Sequence, residues 1–239
     1  MSAADIELKN VRKVYHKDRI EIPVLNRLDL AIGAGEFVSI MGPSGSGKST
    51  LLHLIGGLDD VTEGTVRVGE AQLDEMSERE RTRWRSQHIG FVFQMYYLVP
   101  VLTAAQNVEL PLLLFKMSAT ERRERVETAL NVVELTDRMD HRPNQLSGGQ
   151  EQRVAIARAI VTDPEVILAD EPTGDLDAKT SDAILKLLNL LNTDFGKTIL
   201  LVTHDPKAAG HATRILHLEK GLFEPEAPQP AAKATPNRP

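Results

Sequence analysis

The sequence contains no cysteine, no apolar segment long enough to cross a bilayer, and no excess of positive charge. Without cysteine, the chain has no disulfide, no thiolate metal ligand and no cysteine nucleophile. The longest apolar stretch, near Val108–Phe115, is broken by Glu109 and Pro111 and falls short of the roughly 18 residues of a membrane helix. The first ten residues lack the apolar core of a signal peptide, so we do not expect secretion. A net charge of −6 argues against a primary role on nucleic acid, whose binding domains are usually basic.

What the sequence does contain is an alternation of short apolar strands with amphipathic helices, which favours a largely parallel sheet. The pattern indicates strands at 6–11, 24–32, 37–41, 64–68, 89–93, 166–169 and 198–203, and helices at 49–58, 150–159 and around 184–191. Capping boxes at Ser77–Glu80 and Ser118–Glu121 predict the starts of two more helices. Helical periodicity dominates from about 95 to 160, so we expect a helical subdomain inserted in a single domain that spans residues 1–222. Residues 223–239 hold five of the 13 prolines and are predicted to be disordered.

A glycine-rich loop between the third strand and the first helix matches the phosphate-loop pattern G-x-x-x-x-G-K-[ST]. Its glycines let successive backbone N–H groups point at phosphate oxygens, and the helix N-terminus adds a partial positive charge. Lys48 is expected to reach the β- and γ-phosphates, and the Ser49 hydroxyl to ligate Mg²⁺. A ligand-free glycine turn is disfavoured because both the motif and its context match. The predicted nucleotide-binding residues are Gly42, Pro43, Ser44, Gly45, Ser46, Gly47, Lys48, Ser49 and Thr50.

Two carboxylates, Asp170 and Glu171, follow the apolar strand at 166–169. Because the C-terminal end of a parallel strand lies near the phosphate loop, Asp170 is expected to hold Mg²⁺ directly or through water. Glu171 is expected to project to the opposite side and to orient a water at the γ-phosphate. Alone, such a pair is usually a solvated turn before Pro172. The preceding loop and strand favour the catalytic interpretation.

A second glycine-rich segment, Leu146–Gln150, lies about 100 residues after the phosphate loop. Ser147 is a favoured N-cap residue, so Gly148 and Gly149 are expected to expose backbone N–H groups at the start of the helix at 150–159. The alternative is a helix cap without a ligand. A second phosphate-contacting segment that opens its own helix indicates a nucleotide site closed by a second copy of the chain.

Together these motifs resemble those of the ATP-binding cassette (ABC) ATPases, and the resemblance covers residues from about 5 to 221. Six elements occur in the family's order: an aromatic residue, the phosphate loop, a glutamine, the signature Leu146–Gln150, the acidic pair and a histidine. The resemblance implies an α/β fold, the P-loop NTPase core of an ABC ATPase. In it a mostly parallel sheet with helices is joined by an N-terminal antiparallel β subdomain and an inserted α-helical subdomain. It also implies hydrolysis of ATP to ADP and phosphate, with ATP and Mg²⁺ as cofactors.

The resemblance assigns roles to three further residues. Tyr15 matches the aromatic residue that stacks on adenine, and a strand tyrosine in the core is the alternative. Gln94 matches the glutamine that contacts Mg²⁺ and the attacking water, and His204 matches the histidine that contacts the γ-phosphate. The expected catalytic residues are therefore Glu171, His204, Gln94 and Lys48, and the expected Mg²⁺ ligands are Ser49, Gln94 and Asp170.

The resemblance also implies a homodimer that forms when ATP binds. In the family, the segment matched by Ser147, Gly148, Gly149 and Gln150 contacts the γ-phosphate held by the opposite protomer. The loop that contains Asp175 and Asp177 matches the loop that crosses the dimer interface. Relatives often carry asparagine at the position of Asp175, and glutamine or arginine at that of Glu151; neither departure threatens the assignment.

Within the family, the chain is similar to the lipoprotein-release and macrolide-export ATPases, and also to the cell-division branch. Phe93–Pro100, Asn107–Glu109 and Ala169–Gly174 carry this similarity. It implies a bacterial protein, peripheral at the cytoplasmic face of the inner (plasma) membrane, with integral membrane permease subunits docked on the helical subdomain. The work would be export, lipoprotein release or mechanotransmission. Whether Tyr96–Val99 packs in the core or forms the docking groove is left open.

Three other classes of protein share parts of this pattern. A regulator of cell-wall or division machinery uses the same ATPase chemistry without transport, and the sequence does not separate it from a transporter. Soluble ABC ATPases that act on nucleic acid usually carry coiled-coil insertions, two cassettes or basic surfaces, so no nucleic-acid partner is expected. Phosphate-loop kinases and GTPases lack a signature helix, and the guanine-specifying N-K-x-D motif is absent.

Overall fold

The computed structural model describes residues 3–18 and 20–224, and these form ten strands and seven α-helices. The strands are β1 Ile6–Lys17, β2 Ile20–Ile32, β3 Phe37–Met41, β4 Glu63–Val68, β5 Ala71–Gln72, β6 Ile89–Phe93, β7 Val166–Asp170, β8 Thr198–Thr203, β9 Arg214–Glu219 and β10 Leu222–Phe223. The helices are α1 Lys48–Ile55, α2 Glu78–His88, α3 Ala104–Glu109, α4 Ala119–Val132, α5 Gly148–Ile160, α6 Ala178–Thr193 and α7 Pro206–Ala209.

The larger sheet has the strand order β10-β9-β3-β8-β7-β6, and all its pairings except that of β10 with β9 are parallel. The register aligns the carboxyl ends of its central strands. Met41 pairs with Thr203, and Asp170 pairs with both Val202 and Phe93. The segments that follow β3, β6, β7 and β8 therefore emerge side by side at one edge of the sheet.

Alternating side chains of the buried strands divide the core into two apolar clusters, one on each face of this sheet. Ile167 and Leu201 pack with the helices α5 and α6, whereas Leu168 and Leu200 pack with α1. Each of these four strand residues has an exposed fraction of 0%. The helices therefore hold the sheet from both sides and fix the edge where the strands end.

The smaller sheet is antiparallel, in the order β2-β1-β4-β5, and packs on the α1 side of the larger sheet. Its first two strands are longer than the sequence predicts: β1 continues from Val11 to Lys17 and β2 begins at Ile20 instead of Val24. The register between them shifts at three points from Leu8 to Val14. These irregularities break the alternation of apolar and polar residues, which is the only signal that a sequence offers for such a strand.

The helical subdomain is built from α3, α4 and α5. Helix α5 packs against the other two helices on one side and against the larger sheet on the other. The capping box predicted at Ser118–Glu121 begins α4, and that predicted at Ser77–Glu80 begins α2. The first helix was predicted to reach Leu58 but ends at Ile55, because Gly57 adopts a φ of +63°. No helix among residues 3–18 and 20–224 has both the length and the apolar character needed to cross a membrane.

The C-terminal end of the domain lies beyond the predicted boundary at residue 222. Phe223 pairs with Leu218 as part of β10, and the Glu224 backbone N–H donates to the His217 carbonyl at 2.8 Å. The strands β5, β9 and β10 and the helices α3 and α7 were not predicted. The remaining residues of the predicted disordered tail, 225–239, lie outside the described residues.

Candidate active site

A cavity of about 840 Å³ lies where β3, β6, β7 and β8 end. The predicted site residues that line it are Ser44, Gly45, Gly47, Lys48, Ser49, Thr50, Gln94, Asp170, Glu171 and His204. Four unpredicted residues also line it: Val24, Phe93, Met95 and Tyr97. These four are apolar or aromatic and belong to no chemical motif, so only their place in the fold identifies them.

The phosphate loop folds back on itself before α1. Gly47 has a φ of +104°, and a Cβ there would approach the Leu25 Cδ2 atom to 2.9 Å, so this position requires glycine. The Lys48 ammonium donates to the carbonyls of Gly42 at 2.8 Å and of Pro43 at 2.9 Å. Because these acceptors are neutral, the loop presents a nearly buried positive charge beside free helical N–H groups. This arrangement suits a phosphate anion.

Asp170 and Ser49 form the part of the cavity that fits a magnesium ion. Burial raises the pKa of Asp170 and Glu171 adds to this, whereas a hydrogen bond from Ser49 and the charges of His53 and Lys48 act in the opposite direction. A divalent cation beside Asp170 would stabilise the ionised carboxylate. Mg²⁺ commonly takes one or two carboxylates and completes its shell with phosphate oxygens and water. Within 3–18 and 20–224, no group of three or more His, Cys, Asp or Glu side chains is arranged to hold a metal ion.

Strand alternation predicts that Glu171 projects to the opposite side from Asp170. This prediction is wrong, because both residues line the same cavity. The alternation ends because Glu171 follows the last residue of β7 and has a φ of +49°. Its backbone N–H donates to the Val202 carbonyl at 2.9 Å, and its Oε1 atom lies 2.8 Å from Nδ1 of His204. Thr203 Oγ1 lies 3.4 Å from the Oε2 atom. The carboxylate is thus aimed into the cavity and held in one orientation.

Gln94 follows β6 and connects the cavity to the loop after β7. Its Nε2 donates to Asp175 Oδ2 at 3.3 Å. The fully buried Gln152 of α5 joins the same two segments, since its Nε2 donates to the carbonyls of Phe93 at 3.2 Å and of Pro172 at 2.6 Å. The signature helix α5 therefore holds together the strand ends that carry Gln94 and Glu171. A sequence gives no signal for Gln152, which is one polar residue on a helix.

The segment after Gln94 is also held by α5. The Arg158 guanidinium donates to the carbonyls of Tyr97 at 2.6 Å and of Tyr96 at 2.7 Å, and burial lowers the pKa of Arg158. The segment Tyr96–Val99 is divided between the core and the surface, and the docking groove stays a prediction. Leu98 packs against the core, whereas Tyr97 and Val99 have exposed fractions of 67% and 37%.

The signature segment caps α5 as predicted. Ser147 Oγ accepts from the Gln150 backbone N–H at 3.4 Å, and Gln150 Oε1 accepts from the Ser147 N–H at 2.9 Å. A Cβ at Gly149 would meet the Thr180 methyl group at 2.3 Å, so glycine permits the close contact of α5 with α6. The residues predicted to contact the opposite protomer do not line the cavity of their own chain; they are Ser147, Gly148, Gly149, Gln150, Asp175 and Asp177. Asp177 instead caps α6 through the N–H groups of Lys179 and Thr180.

Tyr15 lies on β1, outside the set of residues that line the cavity. Its exposed fraction is 38%, so the alternative that it packs in the core is wrong. The hydroxyl donates to Asp59 Oδ2 at 2.6 Å, and the Lys13 ammonium lies 4.7 Å from the centre of the ring. Its stacking on adenine stays a prediction.

Asp170→Asn is expected to raise the melting temperature of the protein without nucleotide and Mg²⁺. Burial raises the pKa of Asp170 in the folded chain. The contribution of Asp170 to the free energy of unfolding is therefore most favourable below its unfolded pKa of about 3.9 and is lost as pH rises through its folded pKa. At neutral pH the ionised carboxylate therefore destabilises the fold, and the amide removes this effect. Thermal unfolding at pH 7 measures the difference.

The same variant is expected to lose stabilisation by Mg²⁺ and nucleotide, since the amide cannot replace an anionic ligand. The control is Asp182→Asn, which neutralises a half-exposed carboxylate paired with Lys186 on α6. If Asp170→Asn does not raise the melting temperature in the absence of ligands, burial of the ionised carboxylate does not destabilise the fold.

A phosphate loop and a carboxylate suited to Mg²⁺, brought together at one edge of a parallel sheet, define a phosphate-loop nucleotide-binding protein. The finer assignment comes from comparison with known proteins. Residues 25–174 match the family model described as "ABC transporter". The chain therefore belongs to the ABC transporter family, as the six sequence elements predict.

Close relatives match nearly the whole chain. The ABC transporter ATP-binding protein MJ0796 of Methanocaldococcus jannaschii is 52% identical over 92% of this chain and 96% of its own length. The lipoprotein-releasing system ATP-binding protein LolD of Acinetobacter baylyi is 46% identical over 93% of this chain and 98% of its own. The macrolide export ATP-binding/permease protein MacB of Rhodopseudomonas palustris is 43% identical over 100% of this chain but only 37% of its own.

A solved structure confirms the predicted fold class. It is the dimeric post-hydrolysis state of the MJ0796 cassette bound to ADP and Pi, and it matches with a TM-score of 0.86 and 49% identity. The match covers 93% of this chain and 97% of that one. The combination of a mainly parallel sheet, an antiparallel β subdomain and a helical subdomain is thus the fold of an ABC ATPase.

Proposed function

We propose that this chain is the ATP-hydrolysing subunit of an ABC transporter complex, and that two copies enclose two ATP molecules between them. One observation carries the proposal. The cavity gathers the phosphate loop, Gln94, Asp170, Glu171 and His204, yet the residues at the capped N-terminus of α5 do not line it. A helix end that suits an anion, beside a catalytic cavity it does not line, is explained if it serves the cavity of a second copy.

Each group in the cavity has a chemical task in this proposal. Lys48 and the loop N–H groups bind the β- and γ-phosphates. Asp170, Ser49 and Gln94 would hold Mg²⁺, which when bound neutralises charge on the phosphate oxygens. Glu171 orients the attacking water and accepts its proton, and His204 fixes the Glu171 carboxylate through the contact at 2.8 Å.

The second copy contributes Ser147, Gly148 and Gly149 to the γ-phosphate in this proposal. Loss of that phosphate on hydrolysis removes the bridge between protomers, so the dimer opens. The MJ0796 structure supports this, since it is a dimer bound to ADP and Pi. Asp175 and Asp177 would then lie at the dimer interface, where Asp175 also accepts the hydrogen bond from Gln94.

The opening and closing would act on integral membrane permease subunits that dock on the helical subdomain. Two exposed apolar side chains near Gln94 that do not line the cavity, Val99 and Val101, support such a contact. The similarity to the lipoprotein-releasing protein LolD and the macrolide export protein MacB supports a role in lipoprotein release or macrolide export, with mechanotransmission as a related form of work. The chain would then lie peripherally at the cytoplasmic face of the membrane. A bacterial origin stays a prediction.

Ser147→Arg is expected to abolish dimerisation with a non-hydrolysable ATP analogue and to abolish turnover. It should leave ATP affinity of the monomer unchanged, because Ser147 does not line the cavity of its own chain. Light scattering and calorimetric titration measure the two properties.

Ser118→Arg is the matched control, since Ser118 caps α4 through the same type of capping box. Both variants lose a cap worth about 1 kcal/mol, so any stability effect is shared. Equal loss of dimerisation in both variants, or loss of monomer ATP affinity in Ser147→Arg, contradicts the shared site.

A further inference from the structure

A network of hydrogen bonds and charges surrounds Tyr15, and its other members, Lys13, Asp59 and Asp60, belong to none of the motifs. Tyr15 OH donates to Asp59 Oδ2 at 2.6 Å, while the Lys13 ammonium donates to Asp59 Oδ1 at 2.7 Å and to the Asp60 carbonyl at 2.6 Å. The same ammonium lies 4.7 Å from the centre of the Tyr15 ring. One carboxylate and one ammonium therefore restrain both the hydroxyl and one face of the ring.

The network is partly buried. The Lys13 side chain has an exposed fraction of only 9%, and that of Asp59 is 28%. Burial acts to raise the pKa of Asp59, but the hydrogen bonds from Lys13 and Tyr15 outweigh it and lower this pKa. The carboxylate is therefore ionised at neutral pH and binds both partners by charge-assisted hydrogen bonds. Arg81 of α2 pairs with the neighbouring Asp60, which anchors the segment after α1.

The network lies against α1, the helix that follows the phosphate loop. Burial and Asp59 raise the pKa of Tyr15, whereas Thr50, in the first turn of α1, acts to lower it. Asp59 lies four residues beyond Ile55, the last residue of the same helix. The position of the Tyr15 ring is thus fixed relative to α1, the helix that follows the phosphate loop. Tyr15 itself belongs to the smaller, antiparallel sheet.

We propose that Lys13 and Asp59 are positioning residues that hold the Tyr15 ring at the distance and angle from the phosphate loop that a purine nucleoside triphosphate requires. With one face restrained by Lys13, the exposed part of the ring is left to stack on the base. This inference rests on the proposed function, in which Tyr15 stacks on adenine. It adds that the stacking surface is preorganised by a partly buried ion pair, so that binding does not have to order the side chain.

The test compares the affinities for Mg·ATP and for Mg·triphosphate, the inorganic chain without a base, by calorimetric titration. Tyr15→Phe removes only the hydroxyl, and Lys13→Met removes the ammonium while keeping most of the stem. Each is expected to weaken Mg·ATP by about 3- to 10-fold and to leave Mg·triphosphate unchanged. Lys9→Met, on the exposed part of the same strand and paired with Glu7, is the matched control and should change neither affinity.

The inference is overturned if neither variant changes the affinity for Mg·ATP. It is also overturned if the affinities for Mg·ATP and Mg·triphosphate fall equally, since that indicates general damage to the fold. Should Lys13→Met fail to fold, Tyr15→Phe decides alone, because it leaves the pair of Lys13 and Asp59 intact. Tyr15→Ala separates the two proposals. It should weaken Mg·ATP by about 10- to 100-fold. If it does not, the stacking role itself fails; if it does while the other variants have no effect, only the positioning role fails.

Discussion

Replacement of Glu171 by glutamine is expected to lower ATP turnover by about 10²- to 10⁴-fold, the usual contribution of a general base. The amide keeps the size of the side chain but cannot accept the proton of the attacking water. The geometry predicts little change in ATP affinity, because Glu171 contacts His204 and Thr203 and not the phosphate loop. Hydrolysis would then stop with nucleotide bound, so an ATP-dependent dimer should accumulate. Steady-state phosphate release and light scattering measure both effects.

Glu165→Gln is the matched control for this prediction. Glu165 directly precedes β7, at the opposite end of the strand from Glu171, and its Oε2 lies 3.1 Å from His88. The same chemical change there alters a side-chain contact at the other end of the strand, so turnover should stay near that of the unchanged protein. An active Glu171→Gln variant refutes the role of Glu171 as the base.

Replacement of Lys48 by methionine is expected to weaken ATP binding by about 10- to 100-fold, the range for a hydrogen bond to a charged group. Lys48 is nearly buried beside the phosphate loop, where its partners are the carbonyls of Gly42 and Pro43. Methionine fills similar space but supplies no charge for the phosphates, so turnover should fall together with affinity. Calorimetric titration with Mg·ATP measures the change.

Lys186→Met serves as the control, since Lys186 is an exposed residue of α6 paired with Asp182. It should leave ATP affinity unchanged. If Lys48→Met binds ATP as tightly as the control does, the ammonium makes no contribution to phosphate binding. If it fails to bind only because the loop unfolds, the melting temperature without nucleotide will be lower than that of the control.

Residues at the ends of strands were predictable because the chemistry and the local context agree. The phosphate loop, Asp170, Gln94 and His204 each follow a short apolar strand, and parallel strands bring their carboxyl ends to one edge. The cap at Ser147 was also predictable, since capping depends on residues three apart in the chain.

Other features were not predictable because they depend on contacts between distant segments. The left-handed backbone of Glu171, held by Val202, turns its carboxylate to the same cavity as Asp170, against the alternation of a strand. The hydrogen bonds of Gln152 to two strand ends likewise join residues 59 and 20 positions apart. No local pattern in the sequence indicates either contact.

The sequence by itself determined which nucleotide chemistry this protein carries, because the phosphate loop, the acidic pair and the signature are local motifs whose function depends on a few adjacent residues. Only the tertiary structure decided where these motifs lie relative to one another and to the cavity. It leaves the end of α5 outside the set of residues that line the cavity of its own chain, and it connects Tyr15 through Asp59 to the segment that follows α1. The physical reason is that the direction of a helix end and the position of a ring are set by packing between elements far apart in the chain.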